Sequence, residues 1–130
     1  PLVFIAGGVG ITPLMAMLRA LRHDGEKRSV ALFYGNRSEE EIIFRQELRE
    51  IEEEGTPKLK ATHLVERPGP GWRGLTGRIA LETLRPTIDE SDHTTGFYLC
   101  GPPAMMAALI PALYAAGVSP KRLHYERFAL

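Results

Sequence analysis

Apolar residues along this chain fall into short continuous runs separated by longer stretches in which they return every three or four positions. Leu2-Val3-Phe4-Ile5-Ala6 is a run of strand length that stops at Gly7-Gly8-Val9-Gly10. Thr12-Pro13 then opens Leu14-Met15-Ala16-Met17-Leu18-Arg19-Ala20-Leu21, with Pro13 in the first helical turn, where its missing N–H has no partner to lose. The unit reads as strand, glycine turn, helix. Residues 29–34, Ser-Val-Ala-Leu-Phe-Tyr, predict a second strand, followed by Gly35-Asn36-Arg37. Ser38 precedes Glu41 by three positions, the spacing of a capping box, and predicts a helix from about residue 39 to about residue 53. Ile42, Ile43, Leu48 and Ile51 supply its apolar stripe. Residues 59–65 predict a third strand, Pro68-Gly69-Pro70-Gly71 a loop and residues 79–84 a short helix. Phe97-Tyr98-Leu99-Cys100 predicts a fourth strand, halted by Gly101-Pro102-Pro103. Residues 104–116 then predict a helix ending before Gly117, and residues 122–128 a fifth strand.

Strands alternating with helices define an α/β protein, here a three-layer doubly wound parallel sheet of five strands. At 130 residues the chain holds one domain of ordinary size. A hydrophobic fraction of 44% with 25% charged residues excludes a disordered or disulfide-scaffold reading. Sixteen basic residues balance sixteen acidic ones, so no basic field favours nucleic acid. Eight of the acids lie between Glu39 and Glu54 and read as the solvated face of a helix. A single cysteine forms no internal disulfide and no cysteine-rich metal site, so no metal is expected and a reducing compartment, the cytoplasm, is. No apolar run reaches membrane-spanning length. The start at Pro1, running directly into a strand, predicts a piece of a longer polypeptide.

Two features carry candidate chemistry. Gly8-Val9-Gly10 at a strand-to-helix turn lets backbone N–H groups and a helix N-terminus approach a phosphate, though the same residues suit a tight turn with no ligand. The dinucleotide fingerprint of the ordinary Rossmann type is not met: Pro13 stands where a third glycine belongs, and Gly35-Asn36-Arg37 where an acid belongs. No Gly-Lys-Ser/Thr follows, which excludes a Walker loop. The second feature is Cys100-Gly101-Pro102-Pro103 at the end of the fourth strand. The carboxyl ends of parallel strands face one crevice, so the two features converge there. Cys100 also admits two other readings, packing, or a nucleophile served by His63, His93 or His124, although no nucleophile motif surrounds it.

Five segments in order, Ala6-Gly7-Gly8-Val9-Gly10-Ile11-Thr12-Pro13, Tyr34-Gly35-Asn36-Arg37-Ser38, Trp72-Arg73-Gly74-Leu75-Thr76-Gly77, Cys100-Gly101-Pro102-Pro103-Ala104-Met105 and His124-Tyr125-Glu126-Arg127-Phe128, resemble the pyridine-nucleotide domain of the ferredoxin-NADP reductase family. The resemblance implies a sheet in the order 3-2-1-4-5 with the nucleotide laid across its strand ends. It places the pyrophosphate and the approach to the nicotinamide on Gly8, Val9, Gly10, Ile11, Thr12 and Pro13. Asn36, Arg37 and Ser38 would sit near the adenosine half, Cys100 beside nicotinamide C4, and Gly101, Pro102, Pro103 and Met105 as the wall beneath it. Glu126 would act near the hydride-transfer point, and Phe128 would stack on a flavin.

The same resemblance implies a flavin, FAD or FMN, on an upstream domain outside this chain, with electrons passed to an iron-sulfur, haem or ferric acceptor. The soluble tails of membrane haem reductases also resemble this chain, which admits a membrane-bound parent with this domain on its cytoplasmic face. The alternative is a nucleotide-binding module without redox activity of its own. At the end of the third strand, Glu66-Arg67 stands where NADPH-using relatives tend to place Ser and Arg against the 2′-phosphate. A carboxylate accepts hydrogen bonds from ribose hydroxyls and repels a phosphate. NADH is therefore expected over NADPH, with Arg37 and Arg67 near enough in sequence to favour NADPH instead.

Overall fold

A computed structural model describes residues 1–89 and 91–127. Strand β1 (Leu2–Gly7) leads through a 3-10 turn at Gly8–Gly10 into helix α1 (Ile11–His23). Strand β2 (Ser29–Asn36), helix α2 (Arg45–Glu54) and strand β3 (Lys58–Val65) follow. Strand β4 (Leu75–Thr76), helix α3 (Leu81–Leu84), strand β5 (Gly96–Gly101), helix α4 (Pro103–Ala115) and strand β6 (Leu123–Arg127) complete the described chain.

All strand pairs are parallel, in the order β4-β3-β2-β1-β5-β6. The five predicted strands occur in the expected order, and the sheet has a sixth at its edge. Leu75–Thr76 pairs with Leu64 and Val65 over two residues, too short to leave any alternation in the sequence. Alternation along β1 sends Leu2, Phe4 and Ala6 to one face and Val3 and Ile5 to the other. The first face packs on Leu14, Met15 and Leu18 of α1 and Leu48 and Ile51 of α2. The second packs on Leu84 of α3 and on Met106, Leu109 and Leu113 of α4. Strands covered on both faces must be apolar throughout, and β1 is buried at all six positions.

The helix expected from about residue 39 begins later. Glu39–Glu41 forms one 3-10 turn, Ile42 is extended, and Phe44 takes a left-handed conformation at φ 60° before α2 starts at Arg45. The Ile43 N–H donates to the buried Tyr34 hydroxyl at 3.1 Å instead of to a helical carbonyl. Ser38 makes no capping bond, and Glu41 pairs with Arg37. The short helix expected over 79–84 is the single turn α3, extended by a 3-10 turn at Arg85–Thr87.

Candidate functional site

Because every strand runs the same way, Gly7, Asn36, Val65, Gly101 and the backbone of Arg127 end at one edge of the sheet. The β2–β3 pairing continues past the strands: the Glu66 N–H donates to the Asn36 carbonyl at 3.0 Å and the Arg67 N–H to the Arg37 carbonyl at 2.8 Å. Gly77, with φ 106°, donates its N–H to the Val65 carbonyl at 3.0 Å, which holds Arg78 beside the end of β3.

A cleft of about 690 Å³ opens along this edge. Glycines at the strand ends make its floor. A Cβ on Gly7 would stand 2.8 Å from Met105 Sδ and 2.9 Å from Pro102 Cδ, and one on Gly35 would stand 3.3 Å from Ile79 Cδ1. The Met105 thioether also lies against Gly101. Apolar side chains of Val9, Ile43, Ile79 and Met105 line the cleft, and four charged ones, Arg37, Glu41, Glu66 and Arg78, border it.

The two glycines of the turn differ. Gly8 takes φ 53° and has open space where a Cβ would be, so a bulky ligand can lie against its backbone. Gly10 is pressed onto the end of β5, where a Cβ would overlap the Cys100 carbonyl and stand 2.9 Å from the Gly101 nitrogen. Helix α1 starts beyond them with no capping side chain and no acid in its first turn, an end suited to an anion.

Of the residues expected from sequence to bind nucleotide, Gly8, Val9, Asn36, Arg37, Glu66, Pro102 and Met105 meet in the cleft lining. Gly10, Ile11 and Gly101 are buried behind it, and Ser38 and Pro13 are half-buried outside it. Thr12, Arg67 and Pro103 are exposed outside that lining. Cys100 is buried between Ala6 of β1 and Glu126 of β6, in register with both. Burial, and then the nearby Glu126 carboxylate, push its thiol pKa up, the opposite of what a nucleophile needs. Glu126 is exposed, and Phe128 lies outside the described residues. Sequence reasoning missed Arg78 and Glu41, whose roles depend on contacts, and also Gly7 and Gly35, although a glycine closing an apolar strand was a visible signal. Among the described residues no group of three potential metal ligands occurs, and no helix is long and apolar enough to cross a membrane.

An open parallel sheet with a glycine turn after β1 and a cleft across its strand ends defines a nucleotide-binding domain of the doubly wound α/β class. Residues 4–110 match the family described as the oxidoreductase NAD-binding domain, and the chain belongs to that family. It is 36% identical over 109 residues to an NADH-cytochrome b5 reductase 2 of Meyerozyma guilliermondii, a match covering 83% of this chain and 37% of that relative. Among solved structures it superposes on the cytochrome b5 reductase domain of Ulva prolifera nitrate reductase with a TM-score of 0.85 at 29% identity, covering 96% of this chain and 48% of that one. The flavohem-like FAD/NAD-binding domain of nitric oxide dioxygenase from Vibrio cholerae gives a TM-score of 0.83 at 31% identity, covering 98% of this chain and 51% of that one. The chain thus spans about half, or less, of the proteins it resembles. It is an NAD-binding domain of the ferredoxin reductase type.

Proposed function

We propose that this chain holds NADH for hydride transfer to a flavin carried outside its 130 residues, as one part of a flavin oxidoreductase. The observation that carries the proposal is the cleft itself, which joins the open backbone of Gly8 at one strand end to the carboxylate of Glu66 at another. In this reading the Gly8 turn and the start of α1 take the pyrophosphate, and the apolar lining from Val9 to Met105 takes the rings. Glu66 accepts from the ribose hydroxyls of the adenosine half. A nucleotide 2′-phosphate, with close to two negative charges, would meet that carboxylate at short range. Cys100, buried under Gly10 with a neutral thiol, is a positioning group beside the reacting ring, and Glu126 borders it from β6.

The flavin supplies the electron-accepting ring when the whole protein is assembled, and this chain binds and orients the donor. The relatives reported above, an NADH-cytochrome b5 reductase and the cytochrome b5 reductase domain of a nitrate reductase, support a haem acceptor for the whole protein. Calorimetric titration of the chain with NADH and NADPH tests the proposal. NADH is expected to bind about tenfold or more tightly than NADPH. Equal or tighter NADPH binding overturns the choice of nucleotide, and no binding of either overturns the assignment of the cleft.

A further inference from the structure

Residues 38–44 join β2 to α2 by a path that their own composition does not favour. Glu39, Glu40 and Glu41 are good helix formers, and a helix continuous with α2 would bond the Ile43 N–H to the Glu39 carbonyl four positions back. Instead the Ile42 N–H takes the Glu39 carbonyl at 3.2 Å, Ile42 is extended, and the Ile43 N–H goes to the Tyr34 hydroxyl. Phe44 then takes φ 60° and ψ 22°, the one non-glycine residue with a positive φ among the described residues. A bulky L-residue avoids that region, so the turn persists only where its surroundings fix it.

The surroundings are those of a sealed core. The Tyr34 ring is fully buried in the face covered by α1 and α2, which fixes the place of its hydroxyl. Ile42 and Phe44 pack on the same core, and the Arg19 guanidinium of α1 lies over the Phe44 ring, 5.0 Å from its centroid. Glu41 and Ile43, which alternate with them, line the cleft. A helix through residues 39–44 would destroy this alternation. At about 100° per residue, Phe44 would share a face with Leu48 and Ile51, while Ile43 would fall in line with Glu47 and Glu50 and leave the cleft.

Resting on the reading of the cleft as an NADH site, we propose that the Tyr34 hydroxyl is a positioning group for the nucleotide. By taking the Ile43 N–H it stops α2 from growing toward its own N-terminus and keeps Ile43 and Glu41 in the cleft wall. Removing that oxygen leaves a part-buried N–H unpaired, and helix extension supplies it with the Glu39 carbonyl. The chain then divides between two forms, and only the observed one presents the full apolar wall. Apparent affinity falls with the fraction that leaves it.

Calorimetric titration with NADH, far-UV circular dichroism and thermal melting of the unaltered chain, Tyr34→Phe, Phe44→Ala and Phe44→Gly test this. Tyr34→Phe keeps the buried ring, and is expected to weaken NADH about three- to tenfold and to gain helical signal equal to about one turn. Both Phe44 variants lose the ring, but alanine favours helix and glycine favours the left-handed turn. Phe44→Ala is therefore expected to bind NADH about threefold or more weakly than Phe44→Gly and to carry more helix. Melting separates these effects from loss of fold, and if Tyr34→Phe does not fold, the Phe44 pair decides. The role of the hydroxyl is overturned if Tyr34→Phe binds NADH as the unaltered chain does, if its affinity falls with no gain of helix, or if the two Phe44 variants bind NADH equally. An unaltered chain that binds no NADH overturns the reading of the cleft, and the helical signals alone then show whether the hydroxyl holds the segment.

Discussion

Gly8 and Gly10 stand two positions apart, and only their surroundings separate what each does. At Gly10 an added methyl meets the carbonyl of Cys100, part of a paired strand that cannot give way, so Gly10→Ala should cost about 1–3 kcal/mol or more. At Gly8 a methyl meets nothing, and the cost is that of a left-handed backbone, roughly 1 kcal/mol. The expected order of melting temperature is therefore unaltered chain, then Gly8→Ala, then Gly10→Ala. NADH binding should weaken in the folded Gly8→Ala chain, because the methyl enters space that a ligand would use. A Gly10→Ala chain as stable as the unaltered one would show that the β5 end yields. The sequence marked Gly8-Val9-Gly10 as one phosphate turn. It could not show that Gly10 faces the strand behind it, since Cys100 lies 90 positions along the chain. Cys100 itself was legible as a strand-end residue, and its neutral thiol was not, because the pKa depends on burial and on Glu126 across the sheet.

Helix α2 shows where pattern reading stops at the level of an element. Leu48 and Ile51 are fully buried, as their spacing required, and most of the acids around them face solvent. Its start was misplaced because Ser38 and Glu41 have the residue types of a capping box, while the Tyr34 hydroxyl captures the Ile43 N–H and Glu41 turns to Arg37. These are contacts between elements, and no local rule contains them. The energetics of α2 should follow burial and not charge. Leu48→Ala should lower stability by about 2–5 kcal/mol, as expected for a leucine removed from a closed core. Glu47→Gln breaks the 2.7 Å pair with Arg19 of α1, whose side chain is half exposed, and should cost no more than about 1 kcal/mol. Denaturant midpoints at constant slope would measure both. A Glu47 effect as large as that of Leu48 would mean that the α1–α2 ion pairs, and not the apolar seam, hold α2 to the sheet.

At the scale of the whole molecule, the five strands followed from the apolar runs and their order from the family resemblance, and the edge strand escaped because two paired residues leave no pattern. The outer strands also carry a charge-dependent element. His63 on β3 lies near the Tyr34 ring, with ring centroids 5.8 Å apart, and its Nδ1 is buried without a hydrogen-bond partner. Burial, and then the charge of Arg45, push its pKa below the ordinary 6.5, with Glu52 opposing and Arg49 adding to the shift. In the window between the depressed native value and 6.5, the unfolded chain binds a proton at this site that the native chain does not. Stability must therefore rise with pH across that window and be lost as pH falls below 6.5. One proton limits the slope to about 1.4 kcal/mol per pH unit, and incomplete burial makes it smaller. The carboxylates paired with arginines, Glu41, Glu47 and Glu54, are lowered in pKa and also lose stability on acidification, but below the ordinary carboxylate range. Melting temperature followed from pH 7 to pH 5 thus isolates the imidazole from them. The unaltered chain should lose stability on this path, and His63→Gln should flatten the profile because it removes the titrating group. An unchanged slope in His63→Gln would assign the pH dependence to other groups and leave His63 as a packing residue between β3 and Tyr34.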